Sequence, residues 1–226
     1  MEYEKILTGS NPFRGLALIK QTFLDEFIFS SDFFPQGTNL SARAQKLFFG
    51  QHDLSLVMAI SLFHSSSSYI FEFKDSQVSV CKGLSEKLKV FSLYLKKMTF
   101  PNRVVKECVE VVRILASFIS NNDPDYAFIR RKLGKEAGMI ARDILMLISS
   151  RLSINLKIIK KLEEVLNLYK SKVLLPSPLI DGNDLFALGF EAGPLFADIL
   201  KYAYDMQLQD DSLTKEDILK SIKEFE

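Results

Sequence analysis

The strongest constraint in this chain is a helical period. From Arg103 to Ile119, the apolar residues Val104, Val105, Cys108, Val111, Val112, Leu115 and Ile119 recur three and four apart. That spacing lines one face of an amphipathic helix. Leu156, Ile159, Leu162, Val165, Leu166 and Tyr169 repeat the pattern between Ile154 and Tyr169. Proline marks further first turns at Asn11-Pro12, Thr99-Phe100-Pro101, Asp123-Pro124 and Gly193-Pro194, where its missing N–H costs nothing. Thr214, with Asp217 three residues on, resembles a capping box.

These signals predict an all-α protein, an irregular multi-helix array. The helices are expected near 2–7, 11–20, 22–29, 41–49, 53–65, 84–97, 101–119, 124–135, 137–150, 154–172, 182–188, 194–208 and 214–225. One stretch departs from the pattern. Phe71/Phe73 and Val78/Val80 alternate around Lys74-Asp75-Ser76, so a short β-hairpin near 69–80 competes with helix there. Ser65 to Ser68 reads as a loop. Leu174-Leu175-Pro176-Ser177-Pro178 reads as a rigid joint, because each proline holds the residue before it extended.

The chain has 226 residues, 47% of them hydrophobic, enough for a buried core without disulfide staples and far from the composition of disordered chains. Its two cysteines, Cys81 and Cys108, belong to no CxxC pair or Cys/His cluster. A disulfide framework or a zinc site is therefore not expected. The longest nearly apolar stretch, Leu54 to Phe63, is half of the roughly twenty residues that a bilayer requires. The mixed-charge start Met1-Glu2-Tyr3-Glu4-Lys5 is unlike a signal peptide. The expected location is the cytoplasm.

Net charge is +1, but it is unevenly spread. Residues 1–81 hold 6 basic and 8 acidic side chains, 82–172 hold 19 and 9, and 173–226 hold 4 and 11. A basic middle between acidic flanks points to a polyanion partner. The densest points are Lys87/Lys89, Lys96/Lys97, Arg103/Lys106, Arg130/Arg131/Lys132/Lys135 and Lys157/Lys160/Lys161. From this segment Lys96, Lys97, Arg103, Arg130, Arg131, Lys132, Lys135 and Arg142 are the candidate RNA-binding residues, neutralising phosphates by counterion release. The alternative is a set of ordinary solvated helix faces, with basic residues complementing helix C-termini. Tyr94, Phe100 and Tyr126 are stacking candidates that the helical spacing equally assigns to the core. The acidic tail would repel phosphate unless it faces away or docks on the basic segment.

A catalytic constellation does not assemble. His52-Asp53 spells an HD dipeptide, but no histidine precedes it and a metal needs several convergent ligands. GxGxxG and GxxxxGK[ST] loops are lacking. Asp123 of Asp123-Pro124-Asp125 reads as a helix cap rather than a magnesium ligand. No catalytic or metal-binding residue is assigned.

Asp181-Gly182-Asn183-Asp184-Leu185, Leu188-Gly189, Gly193-Pro194 and Ile199-Leu200 resemble the C-terminal signature of bacterial class II tRNA nucleotidyltransferases, the CCA-adding enzymes, and their poly(A) polymerase relatives. Glu4-Lys5-Ile6-Leu7, Asn11-Pro12, Gly15-Leu16, Leu18-Ile19 and Phe34-Pro35 look like that family's passage from neck to body. The resemblance implies a neck end and start of body at 1–40, a helical body at 41–175 and a helical tail at 176–226. Asp181, Gly182, Asp184, Gly189, Gly193 and Pro194 would be its tail motif, with the glycines permitting positive φ or close backbone approach. It also implies a chain that lacks the magnesium-dependent catalytic head and has no cofactor of its own. Such a chain would hold tRNA for 3′-end addition, with tRNA or another structured RNA, and a separate head subunit, as partners. Leu62-Phe63-His64-Ser65 falls where some relatives carry an HD pair, with serine in place of the aspartate. Ala197 stands where a glycine is usual. The alternative is a diverged helical protein-interaction scaffold without RNA binding.

Overall fold

The computed structural model describes residues 14, 18, 21, 22, 70–74, 77–97, 100–149, 156–170 and 173–223. The expected helices at 2–7, 41–49 and 53–65, the neck-like motif, His52-Asp53 and His64-Ser65 lie outside the described residues. So do most of the two expected helices between 11 and 29, although Arg14, Leu18 and Gln21 are helical. Among the described residues the chain is an all-α multi-helix array with one two-stranded hairpin. The elements are β1 (Phe71–Lys74), β2 (Gln77–Val80), α1 (Leu84–Lys97), α2 (Asn102–Ser120), α3 (Tyr126–Leu133), α4 (Glu136–Ser149), α5 (Leu156–Leu168), α6 (Gly182–Ala187), α7 (Pro194–Gln209) and α8 (Lys215–Lys223).

The chain divides into two compact units. The first comprises 1–122 with 136–156, and the second 123–135 with 157–226. The segment carrying α3 thus leaves the first unit and belongs to the second. The proline-rich stretch 174–178 lies inside the second unit.

In the first unit the hairpin pairs Phe71 with Val80 and Phe73 with Val78, antiparallel. The alternation of these apolar residues is the period-two pattern of a half-buried strand. Gly83, at φ +73°, makes the left-handed turn into α1, a conformation that glycine adopts without steric cost. α1 buries Leu88, Phe91 and Leu95, at spacings of three and four. α2 is the spine of this unit. It packs on α1, α4 and β2 and buries Val105, Cys108, Val111, Val112, Ile114, Leu115, Ala116 and Phe118. Each large side chain so buried contributes roughly 1.5–3 kcal/mol.

In the second unit α7 packs against α3, α6 and α8. The core of its C-terminal part is Ile180, Leu185, Ile199, Ala203, Ile218 and Ile222. Three helix starts are capped by side chains. Asp125 accepts from the Phe128 N–H at 2.6 Å. Asp181 and Asp184 form a reciprocal capping box on α6. Thr214 and Asp217 form a second on α8, where Asp217 Oδ2 accepts from the Thr214 N–H at 2.9 Å and Thr214 Oγ1 from the Asp217 N–H at 3.3 Å. Segment 174–179 makes no ladder, so side chains satisfy its backbone. Tyr204 donates to the Pro176 carbonyl, and Gln207 donates to the Ser177 carbonyl while accepting from the Leu179 N–H.

Candidate nucleic-acid interface

The eight basic residues expected on an RNA surface fall into different surroundings. Arg130 is the clearest correction, being fully buried at 0% exposure. Its Nε donates to the Leu174 carbonyl at 3.0 Å, and Nη1 donates to the Leu208 carbonyl and to Asp211 Oδ1, each at 2.7 Å. The guanidinium lies over the Tyr169 ring, 4.1 Å from its centroid. A side chain enclosed in this way cannot meet a phosphate. Burial of a guanidinium requires partners for its donors; Nε and Nη1 find theirs in Leu174, Leu208 and Asp211, while the buried Nη2 has no hydrogen-bond partner among the described residues.

Arg131 is turned the same way. It pairs with Asp205, donates to the Lys201 carbonyl at 3.2 Å, and stacks on Tyr204 at 4.8 Å. Lys132 extends over the Phe128 ring. Lys135 is exposed just past α3. Within the second unit, therefore, acidic residues of the tail dock on the arginines of α3. By unit, 16 basic and 13 acidic residues fall in the first and 13 and 15 in the second. In the second unit the basic residues of α3 are thus offset by the acidic tail, with Arg130 paired to Asp211 and Arg131 to Asp205.

The remaining candidates belong to the first unit. Arg142 is half-buried and held by the adjacent Asp143. Arg103, 88% exposed, pairs with Glu107 one turn on at 3.0 Å, an arrangement worth only a few tenths of a kcal/mol at a surface. Lys96 is exposed on α1. Lys97 ends α1, and its side chain lies outside the described residues.

α1 and α2 together form an open groove of about 830 Å³. Ser85, Lys89, Ser92 and Lys96 run along one edge at spacings of four, three and four, the separation that puts side chains on one helix face. Leu84, Leu88, Leu93 and Val109 supply the apolar lining. Arg113 enters from α2, its Nη1 fixed by Glu110 Oε2 at 2.5 Å. Every polar side chain lining this groove is a hydroxyl or a cation. Sequence reasoning selected Lys96 here but not Ser85, Lys89, Ser92 or Arg113 as site residues. The signal was available, because the same three-and-four spacing that identifies an apolar face also identifies this polar stripe.

The tail motif is a structural device. Asp181 and Asp184 cap α6, and Pro194 is the first residue of α7. Of its glycines only Gly189 has a positive φ, +93°. Gly193 is extended at φ 179°. A Cβ at Gly189 or Gly193 would meet nothing within 4 Å, and one at Gly182 would make ordinary contact with Phe196. The expected close backbone approach at these glycines is thus not what the fold uses. Among the described residues no group of three His, Cys, Asp or Glu side chains is placed to hold a metal, and no helix is long and apolar enough to cross a membrane. Comparison with protein-family models, curated proteins and solved structures gave no match.

Proposed function

We propose that this chain is a noncatalytic RNA-binding region of the tRNA nucleotidyltransferase and poly(A) polymerase type. In this reading it holds tRNA while a magnesium-dependent head domain outside these residues extends the 3′ end in the cytoplasm. One observation carries the binding part of the reading. The α1–α2 groove is edged by Lys89, Lys96 and Arg113, and no carboxylate lines it. A polyanion approaching the α1 edge meets the hydroxyls of Ser85 and Ser92 and the ammonium groups of Lys89 and Lys96, while Arg113 across the groove is paired with Glu110. The phosphate surface is therefore assigned to the first unit rather than to α3. The tail residues from Asp181 to Pro194 support the family assignment through their resemblance alone.

The test is a salt titration. Binding of tRNA should weaken steeply between about 50 and about 200 mM salt, because each neutralised phosphate releases counterions. The double variant Lys89→Glu/Lys96→Glu should bind more weakly and with a shallower slope. An affinity that does not change with salt would overturn the reading. The rival, a protein-interaction scaffold, is favoured by Phe186 and Leu195 of the second unit, which are 55% and 66% exposed. It becomes the better reading if RNA retention is indifferent to the Lys89/Lys96 reversal.

A further inference from the structure

The groove's lining bears on the form of RNA it takes. A duplex keeps its bases stacked inside and presents sugars and phosphates outward. Such a surface would satisfy the lysines but leave the apolar lining facing polar groups. Leu93, which lines the groove and is 64% exposed, would have no apolar partner in that complex. An unpaired nucleotide presents a phosphate and a base face together. Its phosphate can meet the edge formed by Ser85, Lys89, Ser92 and Lys96, which spans about 16 Å at a helical rise of about 1.5 Å per residue. Its base can enter against Leu93 and lie on the Arg113 guanidinium, which Glu110 holds in place. Arginine planes are an established platform for splayed bases.

We infer that the α1–α2 groove binds single-stranded RNA, backbone on the Ser85–Lys96 edge and bases toward Leu93 and Arg113. This rests on the RNA-binding reading above and adds the strand state of the ligand.

The test measures anisotropy of three labelled probes with the full chain. These are a mixed-sequence RNA strand of about twelve nucleotides, long enough to overrun the groove's edge at either end, its duplex with the complementary strand, and unfractionated tRNA. The single strand should bind about tenfold more tightly than the duplex, the scale of one base contact. Leu93→Ser, at an exposed position, should weaken the single strand several-fold and leave the duplex unchanged. Lys89→Gln/Lys96→Gln should weaken both. Equal or tighter binding of the duplex overturns the inference, as does a Leu93→Ser chain that binds the strand normally. Displacement of the strand by polyglutamate at matched charge also overturns it, since the groove would then read charge alone. If tRNA and duplex bind and the strand does not, only this inference falls. If none of the three binds, the RNA-binding reading falls with it.

Discussion

Arg130 and Tyr169 share one acidic partner. The guanidinium lies on the tyrosine ring, and Asp211 accepts from Arg130 Nη1 through one oxygen at 2.7 Å and from the Tyr169 hydroxyl through the other at 2.6 Å. The three groups bring α3, the end of α5 and the turn after α7 together around a buried charge. Arg130→Met should therefore destabilise the second unit by about 1–3 kcal/mol, since the Leu174 and Leu208 carbonyls lose this donor while Asp211, 34% exposed, can turn to water. Arg130→Lys should recover only part of this, because an ammonium cannot reproduce a planar fork that serves two carbonyls and a carboxylate. Urea unfolding of the full chain measures both. A Met variant within about 0.5 kcal/mol of the parent, the range of ordinary surface changes, would show that the network is not stabilising.

Tyr169 makes a pH prediction. Burial first, and the hydrogen bond to Asp211 second, push its hydroxyl from 10.0 to about 12. The neutral form is thus favoured in the folded chain. Its contribution to stability is complete below about 10 and is lost as pH rises from there through about 12. Tyr169→Phe should remove that segment of the pH dependence and cost about 1 kcal/mol at neutral pH for the lost hydrogen bond. Tyrosinate absorbance and melting temperature, followed together, check this. Parallel alkaline curves for the two chains would refute it.

Gly134 is needed for space rather than for backbone conformation. It closes α3 at φ −66°, which any residue can adopt. A Cβ there would fall well inside van der Waals contact with Leu175 Cγ and Cδ1, and 3.2 Å from the Arg130 carbonyl oxygen. Gly134→Ala should cost about 1–3 kcal/mol, the usual range for overpacking. Leu175→Ala opens the space, so the double variant should be more stable than the sum of the single losses by about 1 kcal/mol. Strict additivity in a double-mutant cycle would show that the two residues do not collide.

How far the fold could be read in advance follows from where each signal lies. The stripe along α2 is local, and so is the capping pair Thr214/Asp217, both read from the sequence; the equally local box of Asp181 and Asp184 was as legible, but in the sequence it figures only as part of a tail motif. The fate of Arg130 depends on groups 39 to 81 residues away, beyond any local pattern. Its direction was nonetheless legible. At 100° per residue it falls within the arc of Tyr126, Ala127, Ile129 and Leu133, while Lys132 falls outside. Three adjacent basic residues hid that phase, and the phase separates a buried guanidinium from a surface charge. The groove required the register of α1 against α2, which no segment of sequence carries by itself.

Asp184 and Lys215 extend the pH argument to the acid side. Lys215 Nζ lies 2.6 Å from Asp184 Oδ1, and Asp184 Oδ2 accepts from the Asp181 N–H at 3.0 Å. The hydrogen bond from Lys215, and after it the backbone N–H of Asp181, hold the Asp184 carboxyl below its ordinary 3.8. The same contact raises the Lys215 ammonium above 10.5. A lowered carboxyl contributes stability that is complete above the ordinary carboxylate range and lost as pH falls through the lowered value. A raised ammonium contributes below 10.5 and is lost above it. The pair should therefore be indifferent to pH between these limits and weaken at both ends. Asp184→Asn should melt lower than the parent at neutral pH and flatten both limbs of the melting curve, while Lys215→Met should flatten the alkaline limb and leave part of the acid limb, because the Asp181 N–H still favours the carboxylate. Thermal melts by circular dichroism across the acid range, with a carboxyl titration by NMR, provide the measurement. An Asp184→Asn acid limb as steep as the parent's would assign the acid sensitivity to other carboxylates.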